Sequence, residues 1–148
     1  MSYQERRSIV NLISAILITV LYSAYMIQRY PQGNPYSIEV FRFWGAFFLI
    51  LIPVSIVARI IVYIIFAILN AIVTRQEELP ITDERDKVIE TKANLVSGYV
   101  FILGFILAVG SLVIDMPPAV MFTILLLSGL LSEVISDVSQ FYYYRRGV

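Results

Sequence analysis

The sequence contains no cysteine and no histidine. Disulfides, thiol chemistry, His-based triads, haem–histidine ligation and the usual zinc sites are therefore excluded. No asparagine stands two residues before Ser or Thr, so there is no glycosylation acceptor. Charge is scarce: 15% of residues are charged and the formal net charge is +0. Soluble domains carry about 25% charged residues. The balance argues against a broad basic surface for nucleic acid. No glycine-rich phosphate loop or other cofactor motif is present, and the many serines lack a recognisable base. An enzyme is not expected, and neither a cofactor nor a metal is implied.

What is present is hydrophobic sequence, 59% of the 148 residues, arranged in long runs. A membrane-spanning helix needs about 20 such residues. The runs predict spans at 9–27, 41–70, 93–114 and 118–141 in one all-α domain, with a polar connector over 74–92. The first run follows Arg6 and Arg7 as a signal peptide would. It is too long for a signal core and has no small-x-small cleavage site, so it is read as retained.

Within the first span Asn11, Ala15, Ile18, Tyr22 and Tyr25 share a face. Pro31, Gly33, Asn34 and Pro35 then form a loop, flanked by Tyr30, Tyr36, Phe41 and Trp44 as an interfacial aromatic belt. The second run, about Ile38 to Val73, would be about 54 Å long against a hydrocarbon core of about 30 Å, so it must tilt, kink or protrude. Pro53 marks the expected kink, and Ser55, Arg59, Tyr63 and Asn70 share a face. In the connector, Pro80 ends one helix and Thr82 caps the next. Asp83 and Lys87 are spaced to pair, and Val88, Ile89 and Ala93 give a narrow apolar side. Ser97, Gly98, Gly104, Ala108 and Ser111 permit close approach in the third span, for internal packing rather than a dimer face. A short turn, Asp115 to Pro118, leads to the fourth span, whose later half carries Ser128, Ser132, Glu133, Ser136, Asp137 and Gln140 on one side. Tyr142, Tyr143 and Tyr144 read as interfacial anchors.

Basic residues gather beside both termini and in the connector, leaving Arg29 and Arg42 opposite. By the positive-inside rule, both termini and the connector are cytoplasmic. The expected architecture is a four-transmembrane-helix bundle of two antiparallel hairpins.

Arg59, Glu133 and Asp137 are charged residues inside apolar runs. A charge at the bilayer centre costs about 2.5–3.5 kcal/mol on insertion scales, so such groups face the bundle and pair. Counted from the cytoplasmic ends, Arg59 lies about 11–14 residues deep and Glu133 about 8–9, a gap an arginine side chain covers. Two readings stand: a lock between the second and fourth helices, or an ion or proton path or polar ligand site with one surplus carboxylate.

The stretch from Asp83 to Ala93, DERDKVIETKA, precedes a span directly. Its Asp83, Glu84, Arg85, Ile89, Lys92 and Ala93 resemble the mark of domain of unknown function 2178, a family of small prokaryotic multi-spanning membrane proteins. The likeness extends loosely over about half the chain or more. It implies a multi-pass protein of the prokaryotic cell (inner) membrane, from a family with no assigned enzyme activity. It also implies a soluble partner, a small helix-turn-helix regulator or another protein, docked on Asp83, Glu84, Arg85, Asp86 and Lys87. Without the resemblance, that segment reads as a solvated mixed-charge helix. The favoured expectation is an interaction or signalling module in the lipid bilayer, without direct nucleic-acid contact. Its rival is an oligomeric transporter, or ion or proton pathway, built from copies of this chain around Arg59, Glu133 and Asp137.

Overall fold

The computed structural model describes residues 3–74 and 83–146. Among them are four helices and no strand: α1 (Tyr3–Ile27), α2 (Ile38–Thr74), α3 (Glu84–Val113) and α4 (Pro118–Arg146). Each is long and apolar enough to cross a membrane. Helix α2, with 37 residues, spans about 55 Å. It remains one helix through Pro53. It displays a row of isoleucines to the outside, among them Ile56, Ile60, Ile64 and Ile68, which only lipid or another apolar surface can cover.

Helix α4 is the hub. It packs along α3 and α1 and touches α2, while α1 also packs on α2. Among the described residues no close backbone approach joins α2 to α3 or α1 to α3. The four helices therefore do not close into a ring, and a gap runs between α2 and α3 with α4 beneath it.

The α3–α4 seam depends on small residues. Gly104, Ala108 and Ser111 are buried on α3. A Cβ added to Gly104 would run into the Ser128 side chain and come 3.5 Å from Ser128 Cα. Nearer the termini, Ser132 donates to the Ser97 carbonyl at 2.9 Å and the two hydroxyls lie 2.8 Å apart. At the other end Asp115 takes a left-handed φ of 57°, a conformation aspartate tolerates, and Pro118 opens α4 with a φ suited to a first turn.

An aromatic knot fastens α1, α2 and α4 at the turn end of the molecule. Met26, Val40, Trp44 and Phe47 are its buried members. Trp44 stacks on Phe122 of α4 at 5.5 Å, and Tyr22 donates to the Phe47 carbonyl at 2.8 Å. Trp44 is thus core, not the interfacial anchor its place beside the loop suggested; Tyr36 and Phe41 are exposed. On α1, Met26 rather than Tyr25 is buried, because four residues on from Tyr22 continues its stripe more closely than three. Tyr25 turns outward and receives Arg29 over its ring.

At the termini end the start of α3 differs from expectation in two details. Asp83 is the N-cap, accepting from the Glu84 amide, while Asp86 reaches back to the Asp83 amide. Such a cap is worth about 1 kcal/mol. No ion pair joins Asp83 and Lys87, because the Asp83 carboxylate is turned to the open amides of the helix start. Pro80 and Thr82, expected to stop and cap helices, lie outside the described residues.

Candidate functional site

The gap between α2 and α3 is a groove with two chemically different halves. Toward the turn end it is an apolar cavity of about 480 Å³, with Phe48 and Leu51 on one wall, Phe101 on the other and Phe122, Leu126 and Leu130 along the floor. Toward the termini it is a polar cleft of about 470 Å³, offering Asn94 and Ser97 from α3 and Ser132, Ser136, Asp137 and Gln140 from α4. Arg59, Gly129 and Glu133 line both halves and form the threshold between them. Helical spacing explains the division. Phe122, Leu126, Gly129, Glu133, Ser136 and Gln140 recur at intervals of three and four, so one face of α4 is apolar for two turns and polar for the next three.

At the threshold the Arg59 guanidinium of α2 and the Glu133 carboxylate of α4 form an ion pair between one wall of the groove and its floor. The pair is not sealed: the Arg59 side chain is 46% exposed and that of Glu133 28%. Arg59 also borders a smaller pocket with Arg7, Asn11 and Tyr63, where Arg7 lies 5.5 Å above the Tyr63 ring. One turn beyond Glu133, Asp137 is only 8% exposed. It lines the cleft and makes no hydrogen bond or ion pair among the described residues. The Ser136 hydroxyl beside it donates to Asn94 Oδ1 at 3.2 Å. The group thus holds one cation against two carboxylates, with the unmatched one buried and turned to an accessible space.

The structure therefore brings Arg59, Glu133 and Asp137 to one groove. Gly129 and Asn94 were not singled out from sequence. The available signal was the position of Gly129, where the apolar face of the fourth run turns polar.

The segment Asp83 to Lys87 lies apart from the groove. Glu84, Arg85 and Lys87 are at the surface. Asp86 faces inward, accepting from Gln4 Nε2 at 3.4 Å as well as from the cap, and borders a pocket it shares with Tyr144. Ile89, 0% exposed, and Ala93 already bury α3 against the bundle. Only the first turn or so of α3 stands clear. Among the described residues no group of three or more His, Cys, Asp or Glu could hold a metal.

Four helices long and apolar enough to cross a membrane suggest a class, the multi-pass helical membrane protein, here with an open groove between helices. No family model, curated protein or solved structure matches the chain.

Proposed function

We propose that this is a non-enzymatic membrane protein that binds an amphipathic ligand, a lipid of the cytoplasmic leaflet, in the groove between α2 and α3. The observation that carries this reading is the threshold. Arg59 and Glu133 stand where a polar cleft meets an apolar cavity of similar size, open along the side where the α2 and α3 backbones do not approach closely. Cavities of about 300–1,000 Å³ are the usual size for small-molecule sites. The topology accords with it. The basic residues assign both termini to the cytoplasm, and the two hairpins follow from that assignment. The polar cleft then lies at the cytoplasmic headgroup level and the apolar cavity deeper, the polarity of a lipid in that leaflet. Transport is the natural use of such a site. One copy supplies four candidate spans, so movement across the bilayer would require an oligomer.

Gly129 gives the test. A Cβ at Gly129 meets nothing within 4 Å and the residue lines both halves of the groove, so Gly129→Trp is expected to place its ring in the threshold. Native mass spectrometry of the wild-type chain, extracted in mild detergent, is expected to show retained lipid. The Trp variant is expected to keep its melting temperature and lose the lipid. Equal retention in both would contradict the reading. So would a wild-type dimer that the variant converts to monomer, since a second copy would then be the occupant.

A second reading keeps the docking role. The exposed Glu84, Arg85 and Lys87 at the start of α3 are where a soluble regulator of the kind implied by the domain 2178 resemblance would bind. The short projection and the inward-facing Asp86 leave it a smaller surface than the groove offers a ligand.

A further inference from the structure

We infer that the lipid taken by the groove carries a primary-amine headgroup, as phosphatidylethanolamine does. The inference rests on the groove being a ligand site and adds the charge of its occupant. Asp137 is the decisive residue. An ionised carboxylate only accepts hydrogen bonds, and burying one without a partner is costly. Asp137 is 8% exposed, has no hydrogen-bond or ion-pair partner among the described residues, and keeps its carboxylate oxygens accessible from the cleft it lines. It borders a cleft whose other groups include the hydroxyls of Ser132 and Ser136 and the amide of Gln140. Ser132 and Ser136 already donate to Ser97 and Asn94, which leaves lone pairs of the hydroxyls beside the carboxylate to accept from a cation with several N–H donors, the ammonium group.

The order of charges along the groove matches the order of groups in such a lipid. Asp137 stands nearest the termini, Glu133 with its Arg59 partner one turn deeper, and the apolar cavity beyond. One helical turn rises about 5.4 Å, comparable to the reach from an ammonium to its phosphate. With the amine on Asp137, the phosphate falls beside Arg59, and the acyl chain runs past Gly129 toward Phe48 and Phe122. The guanidinium has enough N–H donors to keep Glu133 and also donate to a phosphate oxygen. A quaternary ammonium supplies the charge without N–H donors. A glycerol headgroup supplies neither an ammonium charge nor its N–H donors.

The test adds phosphatidylethanolamine, phosphatidylcholine and phosphatidylglycerol at equal concentration to the delipidated full-length protein and reads bound lipid by native mass spectrometry. The ethanolamine lipid should be retained about tenfold over the glycerol lipid, the discrimination expected of a charge-assisted hydrogen bond. Asp137→Asn should remove the preference. Capping the lipid amine with an acyl group should do the same on wild-type protein, which separates the contact from any folding defect of the variant. Equal or preferred retention of phosphatidylglycerol overturns the amine assignment. If that lipid is still lost in Gly129→Trp, the groove reading survives. Retention of none of the three lipids removes both.

Discussion

Replacing Gly104 by leucine will part α3 from α4 and lower the melting temperature in detergent, at a cost of about 3 kcal/mol or more. Overpacking a well-packed contact costs about 1–3 kcal/mol where neighbours can adjust. Here the obstacle is rigid: a Cβ at position 104 runs into both Oγ and Cβ of Ser128, and that Cβ cannot move without the helix carrying it. The Ser128 hydroxyl is itself bonded to the Ile124 carbonyl at 2.6 Å. Relief would require the helices to move apart, loosening Ala108 and Ser111 in the same stripe and the Ser97–Ser132 bonds beyond. Helix α3 has no other closely packed neighbour among the described residues; its bond from Gln4 of α1 to Asp86, at 3.4 Å, lies at the far end of the helix. Helix association in lipid relies on such close approach, since apolar surface alone gives little drive there. Gly104→Ala should show a smaller loss, relieved by Ser128→Gly in the same chain. Circular dichroism melts of the four proteins check this; an unchanged melting point for the leucine variant would contradict the packing described for the seam.

The second large effect concerns the threshold pair. Arg59→Leu leaves Glu133 and Asp137 together without a base and should destabilise the protein by about 2 kcal/mol. That lies between the roughly 0.2–1 kcal/mol of exposed pairs and the 3–5 kcal/mol for breaking buried ones, as half-open side chains require. Glu133→Leu should cost a similar amount, leaving a guanidinium unmatched. The double variant should recover much of the loss, because an apolar pair of similar volume can replace a buried ion pair. A double-mutant cycle in denaturant or heat reads the coupling directly. Additive losses would mean that the pair holds nothing together. Glu133→Gln separates structure from ligand binding: a pure helix lock would weaken assembly, whereas a ligand contact would alter lipid retention at unchanged thermal stability.

The sequence made some of this legible. Four apolar runs announced four helices, because a span must satisfy its own backbone and therefore must be long. Depth counting along the helices brought Arg59 within reach of Glu133, and the two are paired. Periodicity, however, shows which side of a helix is distinctive and not which helix it meets. The absence of contact between α2 and α3, and hence the groove, could not be read from either pattern. Trp44 misled for a related reason. Its position beside the loop suits an interfacial ring equally well, and only its stacking on Phe122, far along the chain, makes it core. At the start of α3, three neighbouring residues could each cap or pair. The choice of Asp83 as cap over pairing with Lys87 was settled by which amides stood open, a local competition that spacing alone leaves undecided.

The groove itself can be tested directly because the chain has no cysteine, so a single introduced thiol is unambiguous. Ser136→Cys places it in the polar cleft beside Asp137. In oriented membrane vesicles, a membrane-impermeant maleimide should label this thiol when the cytoplasmic face is outward and leave it untouched when that face is enclosed. Failure to label from either side, in protein that melts like the wild type, would show the cleft dry and shut. Arg59, Glu133 and Asp137 would then be a lock between helices and not the mouth of a site.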